Sequence, residues 1–382
     1  MDDNRITAVI VDTCIYRDEN SDFLGINKQL LPSFFSTAKE KSITLLNHPV
    51  LDKEVYKHIE ESGLCKNYKQ LIEKIEKCNS TLKYLGLDQD MTLIKISEID
   101  MKDELYKSYQ NYYADAVYLD YGNPERVFEL YFKGQAPFGS KANKKHEFPD
   151  AFVIDATKSY IEQHPNDILL VVSKDSDWIS AFKENDSVIL CEKLEDAQAK
   201  ISNIDSILSS EMLGHIFENV YKDILTEAQF HVECECFELD DYETSGDLEI
   251  DTIIIENVND LFTPLKITRD SILISTEITA KVWGHAEVID EESSLWDSVD
   301  QEYLYVRYAD VDFSDTEVNI ECEILISYDF DNPEDSAQLE EFKLLNHDNI
   351  HINCKSATVA YLDEEEMALR CIREDKGYPR RI

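Results

Sequence analysis

The chain is short of several things, and each shortage narrows what it can be. Among its 382 residues there is no run of 18 apolar positions, so no transmembrane helix is expected. The start, "MDDNRITAVIVDTCIY", has neither the basic opening nor the small-residue cleavage site of a secretory signal. Nine cysteines include no CxxC pair, and free thiols in a reducing cytoplasm are the expectation. Basic side chains are scarce: 37 Lys and Arg stand against 79 Asp and Glu, for a net charge of -42. Such a field repels nucleic acid at long range, so any chemistry on phosphates needs a locally basic surface or a metal ion.

What is present falls into two periodicities. Up to about residue 228, short apolar runs such as "ITAVIVD" (6–12), "SITLLN" (42–47), "ILLVV" (168–172) and "SVILC" (187–191) alternate with stretches of helical spacing. That order predicts an α/β domain over residues 1–228 with a mainly parallel sheet covered on both faces. From 229 to 382 the period drops to two, as in "SILISTEITAKVWGHAEVI" and "VNIECEILI". Those segments predict a mostly antiparallel β domain, sandwich or barrel-like. No Gly/Ser linker separates the halves, and the charge is uneven: -14 before the boundary and -28 after it. The acidic second half suits a basic protein partner, and a regulatory or docking role for it is the competing reading of the whole chain. An oligomer is compatible with the sequence.

Carboxylates stand where chemistry could use them. Asp12 and Asp175 each follow the carboxyl end of an apolar strand, the place where parallel α/β sheets bind ligands. Glu54 lies about one turn into the helix after "SITLLN", and Asp150 in the first turn of "PDAFVIDA", preceded by Glu147. Taken singly, each has an ordinary reading as a strand end, a helix cap, a first-turn acid or a solvated face. Together they crowd one edge of a sheet, where unpaired carboxylates repel. Mg²⁺ or Mn²⁺ removes that conflict, and a pair of such ions can activate water for phosphodiester hydrolysis.

The joint pattern resembles the PIN-domain family of metal-dependent nucleases. "VIVDTCIY", Glu54 in "HPVLDKEVYKHI", "EFPDAFVIDA" and "VVSKDSDW" stand in the family's motif order. The resemblance covers roughly residues 5 to 195 and implies a three-layer α/β/α fold. It implies Asp12, Glu54, Asp150 and Asp175 as catalytic metal ligands, with Glu147 and Asp177 assisting, and an endonuclease acting on RNA, with DNA left open. Of the last pair, Asp175 is expected to be the ligand, and Asp177 either the helix cap or a residue acting through water from further out. About 70 residues, 65 to 140, separate the second and third motifs, a departure from the small members, and "EFPDAF" resembles the larger two-domain bacterial members, some linked to phage defence, so a toxin or defence effector is implied.

Two further groups complete the reading. The segment "FKGQAPFGSKANKKHEFPD" (132–150) has no acid between Glu129 and Glu147, and is expected to hold phosphates through Lys133, Lys141, Lys144 and Lys145. Phe138 is expected to offer a stacking surface. Cys14 beside Asp12 and His48 before Glu54 invite a thiol-nucleophile reading, but no oxyanion-hole motif accompanies them.

Overall fold

The computed structural model describes residues 5–87, 100–135, 137–138, 147–204, 206, 208–240, 244–290, 294–297, 302–345, 349–353 and 358–361. Its contacts divide the chain into two compact units. One comprises Met1–Ser209 with Thr263–Ile267, and the other Ser210–Phe262 with Thr268–Ile382.

The first unit begins β1 (Ile6–Val11), α1 (Thr13–Asp18), α2 (Leu30–Glu40), β2 (Thr44–Asn47) and α3 (Pro49–Ile59). It continues α4 (Gly63–Tyr84), α5 (Met101–Tyr112), β3 (Val117–Tyr118), α6 (Pro124–Lys133) and α7 (Phe148–Gln163). Then come β4 (Ile168–Val172), α8 (Ser176–Phe182), β5 (Val188–Cys191) and α9 (Leu194–Ser202). The five strands pair in the order β3-β2-β1-β4-β5, all parallel. Successive residues of β1 are buried whichever way they point, from Ala8 to Val11, which is why the strands read as unbroken apolar runs. On one face Ala8, Ile10, Leu169 and Val171 meet Val153 and Ala156 of α7 and Trp178 and Phe182 of α8. Replacing the fully buried Trp178 by Ala should cost about 3–5 kcal/mol of stability, measured by chemical denaturation.

The reason the sheet matters for function is its register. Ile10 lies beside Leu46, and Val11 beside Val172, so β1, β2 and β4 end at a common edge. The Asp12 N–H donates to Val172 O at 2.9 Å, which pins the residue just past β1 against the end of β4.

The second unit opens with α10 (Ser210–Glu233) and β6 (Phe237–Leu239), followed by β7 (Thr244–Val258). The segment β8 (Thr263–Ile267) belongs to the first unit, where Gln198 of α9 donates to Leu265 O at 2.8 Å. Next are β9 (Ser271–Ile289), β10 (Leu295–Asp297), β11 (Glu302–Tyr305) and β12 (Tyr308–Ser327). Last are β13 (Gln338–Leu344), β14 (Ile350–Ile352) and β15 (Thr358–Tyr361). The order β13-β12-β9-β7 is antiparallel throughout, and β15 also pairs antiparallel with β12. Helix α10 packs on β7 and β13, and Gln229 fastens it by bonding Ile253 O and the Ile255 N–H. The boundary expected near residue 228 lies inside this helix. No helix among the described residues is long and apolar enough to cross a membrane.

Candidate active site

Each carboxylate is positioned by a local feature of the sequence. Asp12 stands between β1 and α1 and is buried. Its Oδ2 accepts from Ser173 Oγ at 2.7 Å and from Cys14 Sγ at 3.0 Å, so the loop after β4 holds the side chain at the end of β1. Glu54 comes from α3, which His48 starts: His48 Nδ1 accepts from the Val50 N–H and Pro49 supplies a pre-set φ. The Thr13 hydroxyl lies 3.3 Å from Glu54 Oε2 and 3.5 Å from Asp12 Oδ1, bridging the two acids. Burial raises the Glu54 pKa, the charge of Asp12 raises it further, and the Thr13 hydrogen bond offsets part of the rise.

Asp150 carries the largest shift among these acids. Its carboxyl is pushed from 3.8 up to about 7, first by burial and then by the charges of Asp12 and Glu54, with Asp175 adding to them. The Trp178 indole N–H has no acceptor in strict hydrogen-bond geometry, yet it lies close enough to favour the charged form of Asp150. The charges of Asp12, Glu54 and Asp175, each from a different segment, thus all bear on the Asp150 carboxyl. Asp155, one turn further along α7, is taken up elsewhere: it pairs with Arg126 Nε at 3.0 Å and accepts the Asn123 N–H at 2.6 Å.

The two aspartates after β4 exchange one expected role. Asp175, not Asp177, is the N-cap of α8, with Oδ1 accepting the Asp177 N–H at 2.7 Å. A cap must precede the first helical turn with extended backbone, and Asp177 is already inside that turn. Burial raises the Asp177 pKa, and Asp175 and Glu147 raise it further, so Asp177 and Glu147 form an outer acidic pair beside the main group. One Glu147 carboxylate oxygen is buried without a partner among the described residues.

The expectations for the basic segment divide. Lys141, Lys144 and Lys145 lie outside the described residues. Lys133 is exposed and pairs with Glu129 at 3.0 Å. Phe138 is 0% exposed, packed 4.8 Å from Phe148 and 5.4 Å from Tyr131 between ring centroids, so it has no face to offer a base. Its apolar ring closes the small core between α6 and α7 instead. Phe128 and Phe132 of α6 are exposed on that side; Phe132 opens the basic segment singled out in the sequence, whereas Phe128 lies outside it.

A thiol nucleophile is absent for a physical reason. Burial and the adjacent Asp12 push the Cys14 thiol up to about 12, so it is not ionised near neutral pH. Burial also lowers the His48 pKa and leaves it neutral.

Among the described residues, no group of three or more His, Cys, Asp or Glu side chains is gathered tightly enough to hold a metal ion. The side chains are occupied locally: Asp12 by a hydroxyl and a thiol, Glu54 by Thr13, and one oxygen of Asp175 by the helix it caps.

Comparison with known proteins bears out the family resemblance. Residues 9–178 match the model of the PIN domain family, a span that holds Asp12, Glu54, Asp150 and Asp175. A search of curated proteins gave no match. The N-terminal part of this chain is a PIN domain, and PIN domains belong to a superfamily of nucleases.

Proposed function

We propose that the PIN domain is a metal-dependent endonuclease that cleaves RNA. The observation that carries the reading is the convergence of Asp12, Glu54, Asp150 and Asp175 from four segments, close enough for three of them to raise the pKa of the fourth. An all-oxygen, multiply charged donor set suits a hard divalent cation such as Mg²⁺ or Mn²⁺ and suits softer metals poorly. Asp12, Glu54, Asp150 and Asp175 would hold it, with Glu147 and Asp177 acting from further out. When bound, such an ion supplies Lewis acidity and a nucleophilic water for phosphodiester hydrolysis.

The chain's own contribution is placement. Ser173 and Thr13 fix the Asp12 and Glu54 carboxylates by hydrogen bonds, so little side-chain freedom remains to be lost when substrate arrives. Asp150 can carry a proton near neutral pH and must release it to act as a ligand. The Trp178 ring, buried beneath it, keeps water from the inner side of the carboxylates.

The test uses the full chain and labelled single-stranded RNA and DNA of one sequence. Cleavage of RNA in Mg²⁺ or Mn²⁺, abolished by EDTA and restored by adding the metal back, is the expected result. Equal cleavage by the wild type and Asp12→Asn would identify a contaminant and end the reading. Cys14→Ser should keep activity within about threefold, and iodoacetamide should not inhibit, because the thiol is protonated. A loss beyond an order of magnitude would reopen the thiol.

A role as a toxin or phage-defence effector rests on the likeness to two-domain bacterial members alone. Its check is expression of wild type and Asp12→Asn in a bacterial host, where equal growth would count against it. The β-rich half is proposed as the partner-binding or regulatory part, supported by its charge of -28 beyond residue 228. A basic partner should leave the immobilised full chain as salt is raised, and capture unchanged by high salt would count against the idea.

A further inference from the structure

Beside the acidic group lies a polar cleft of about 460 Å³, and of its Lys and Arg residues only Lys174 stands in a quoted motif. Cys14, whose thiol bonds Asp12, forms part of its wall and joins it to the carboxylates. Arg17 of α1, Lys66 of α4 and Lys174 of the loop after β4 line it, against Asp18 and Glu61. In a chain with 37 basic and 79 acidic residues, a surface with more fixed positive than negative charge is a reversal of the general field. Lys174 pairs with Asp18, whereas Arg17 and Lys66 form no ion pair among the described residues. All three cations are exposed, so none is held in place by packing needs.

A second observation, from other elements, concerns bases rather than phosphates. Phe132 is 80% exposed and Phe128 46%. They stand one turn apart on α6 with ring planes 29° apart and 6.4 Å between centroids. Phe128 also lies 5.6 Å from Phe148, two residues before Asp150 in the first turn of α7. Exposed rings of this kind cost hydration in the free protein and match the faces of unstacked bases.

We propose that the Arg17–Lys66–Lys174 cleft binds the phosphodiester backbone of a single-stranded nucleic acid, whose unpaired bases lie on Phe128 and Phe132. The inference rests on the nuclease reading for its direction, since it places phosphates on one approach to the carboxylates and bases on another. A duplex hides its base faces in the stack and cannot use the rings. The cleft also answers how so acidic a chain can hold a polyanion: local cations act within a Debye length, about 8 Å at physiological salt, while the distant acids are screened.

The experiment measures binding apart from cleavage. A fluorescein-labelled single-stranded oligonucleotide, as RNA and as DNA, is titrated with the full chain in EDTA over a range of salt. Replacing Arg17, Lys66 and Lys174 together by Ala should weaken binding by about 10- to 100-fold and lower the salt slope by about two, the share of three phosphate contacts on a single strand. Replacing Phe128 and Phe132 by Ala should weaken binding by about 5- to 30-fold and leave the slope unchanged. These five side chains are exposed, and matching thermal melts would show that the variants fold.

An unchanged Kd and slope in the triple variant would overturn the cleft. A perfect duplex that binds as tightly as the single strand would overturn the single-stranded assignment. Should the wild type cleave RNA in Mn²⁺ while the triple variant binds normally, the inference falls and the nuclease reading stands. Should binding depend on the cleft while no metal supports cleavage, the cleft stands and the nuclease reading falls.

Discussion

Asp150→Asn should remove cleavage and, in the absence of divalent metal, make the protein more stable at pH 8. The two effects share one cause. Folding carries the Asp150 carboxyl from 3.8 to about 7 because it is buried among Asp12, Glu54 and Asp175. A carboxyl whose folded pKa is raised binds its proton more tightly in the native state than in the unfolded chain. Below about pH 4 both states are protonated and there is no penalty. The penalty builds as pH rises from 3.8 and is complete above about 7. At about 1.4 kcal/mol per unit, the full rise corresponds to about 4 kcal/mol. Asn is nearly isosteric and cannot ionise, but its buried amide leaves a cost of about 1–3 kcal/mol of desolvation. A net gain of about 1–3 kcal/mol at pH 8 remains, a few degrees in Tm for a domain of this size. The gain should shrink as pH is lowered toward 5. Mn²⁺ should raise the melting temperature of the wild type and raise that of the variant less, because binding to the native state adds stability. Cleavage in Mn²⁺ should fall by at least about 10²-fold. A variant equally destabilised at pH 5 and pH 8 would show that the carboxylates are not in conflict, and the site would lose its main support.

Much of this was legible in the sequence because the features are local. "ILLVV" spans β4 as read, since a strand buried on both faces needs no partner residue to be recognised. Asp12 and Asp175 follow directly from the ends of such strands, and Pro149 announces the turn that carries Asp150. Features that depend on a choice between partners were not legible. The apolar face of α10, from Leu213 through Ile216, Val220 and Ile224, would suit a helix closing the first unit equally well. Only the Gln229 bonds to β7 show which sheet it covers. The strand β12 runs through both "YADVDF" and "EVNIECEILIS" across a bulge where Asp315 takes a positive φ of 55°, a continuity that two-residue alternation alone does not reveal. Between α3 and α4, Ser62 caps α4 by accepting the Cys65 N–H at 3.2 Å. The cleft escaped for the plainest reason: Arg17, Lys66 and Lys174 are 49 or more residues apart and form no cluster along the chain.

Because Asp175, not Asp177, caps α8, a substitution there separates architecture from chemistry. Asp175→Asn should keep the cap of α8, because Asn accepts the Asp177 N–H as well as Asp does. The fold and its melting temperature should therefore change little, while the charge facing Asp150 is gone. Cleavage should then fall by about 10²-fold. Removing that charge should also lower the Asp150 pKa, so any residual activity would persist to lower pH than in the wild type. Asp177→Asn acts differently. The residue lies two positions further along the chain, shares its field with Glu147, and feels the main group through Asp175. Its loss should cost an order of magnitude or less. Asp175→Ala provides the control, adding a lost cap of about 1 kcal/mol to the same loss of charge. If Asp177→Asn abolished cleavage while Asp175→Asn spared it, Asp175 would be a cap alone and the ligand set would have to be built on Asp177 and Glu147. The field that these two share would then mark the true centre, one turn along the edge from where β1 and β4 end.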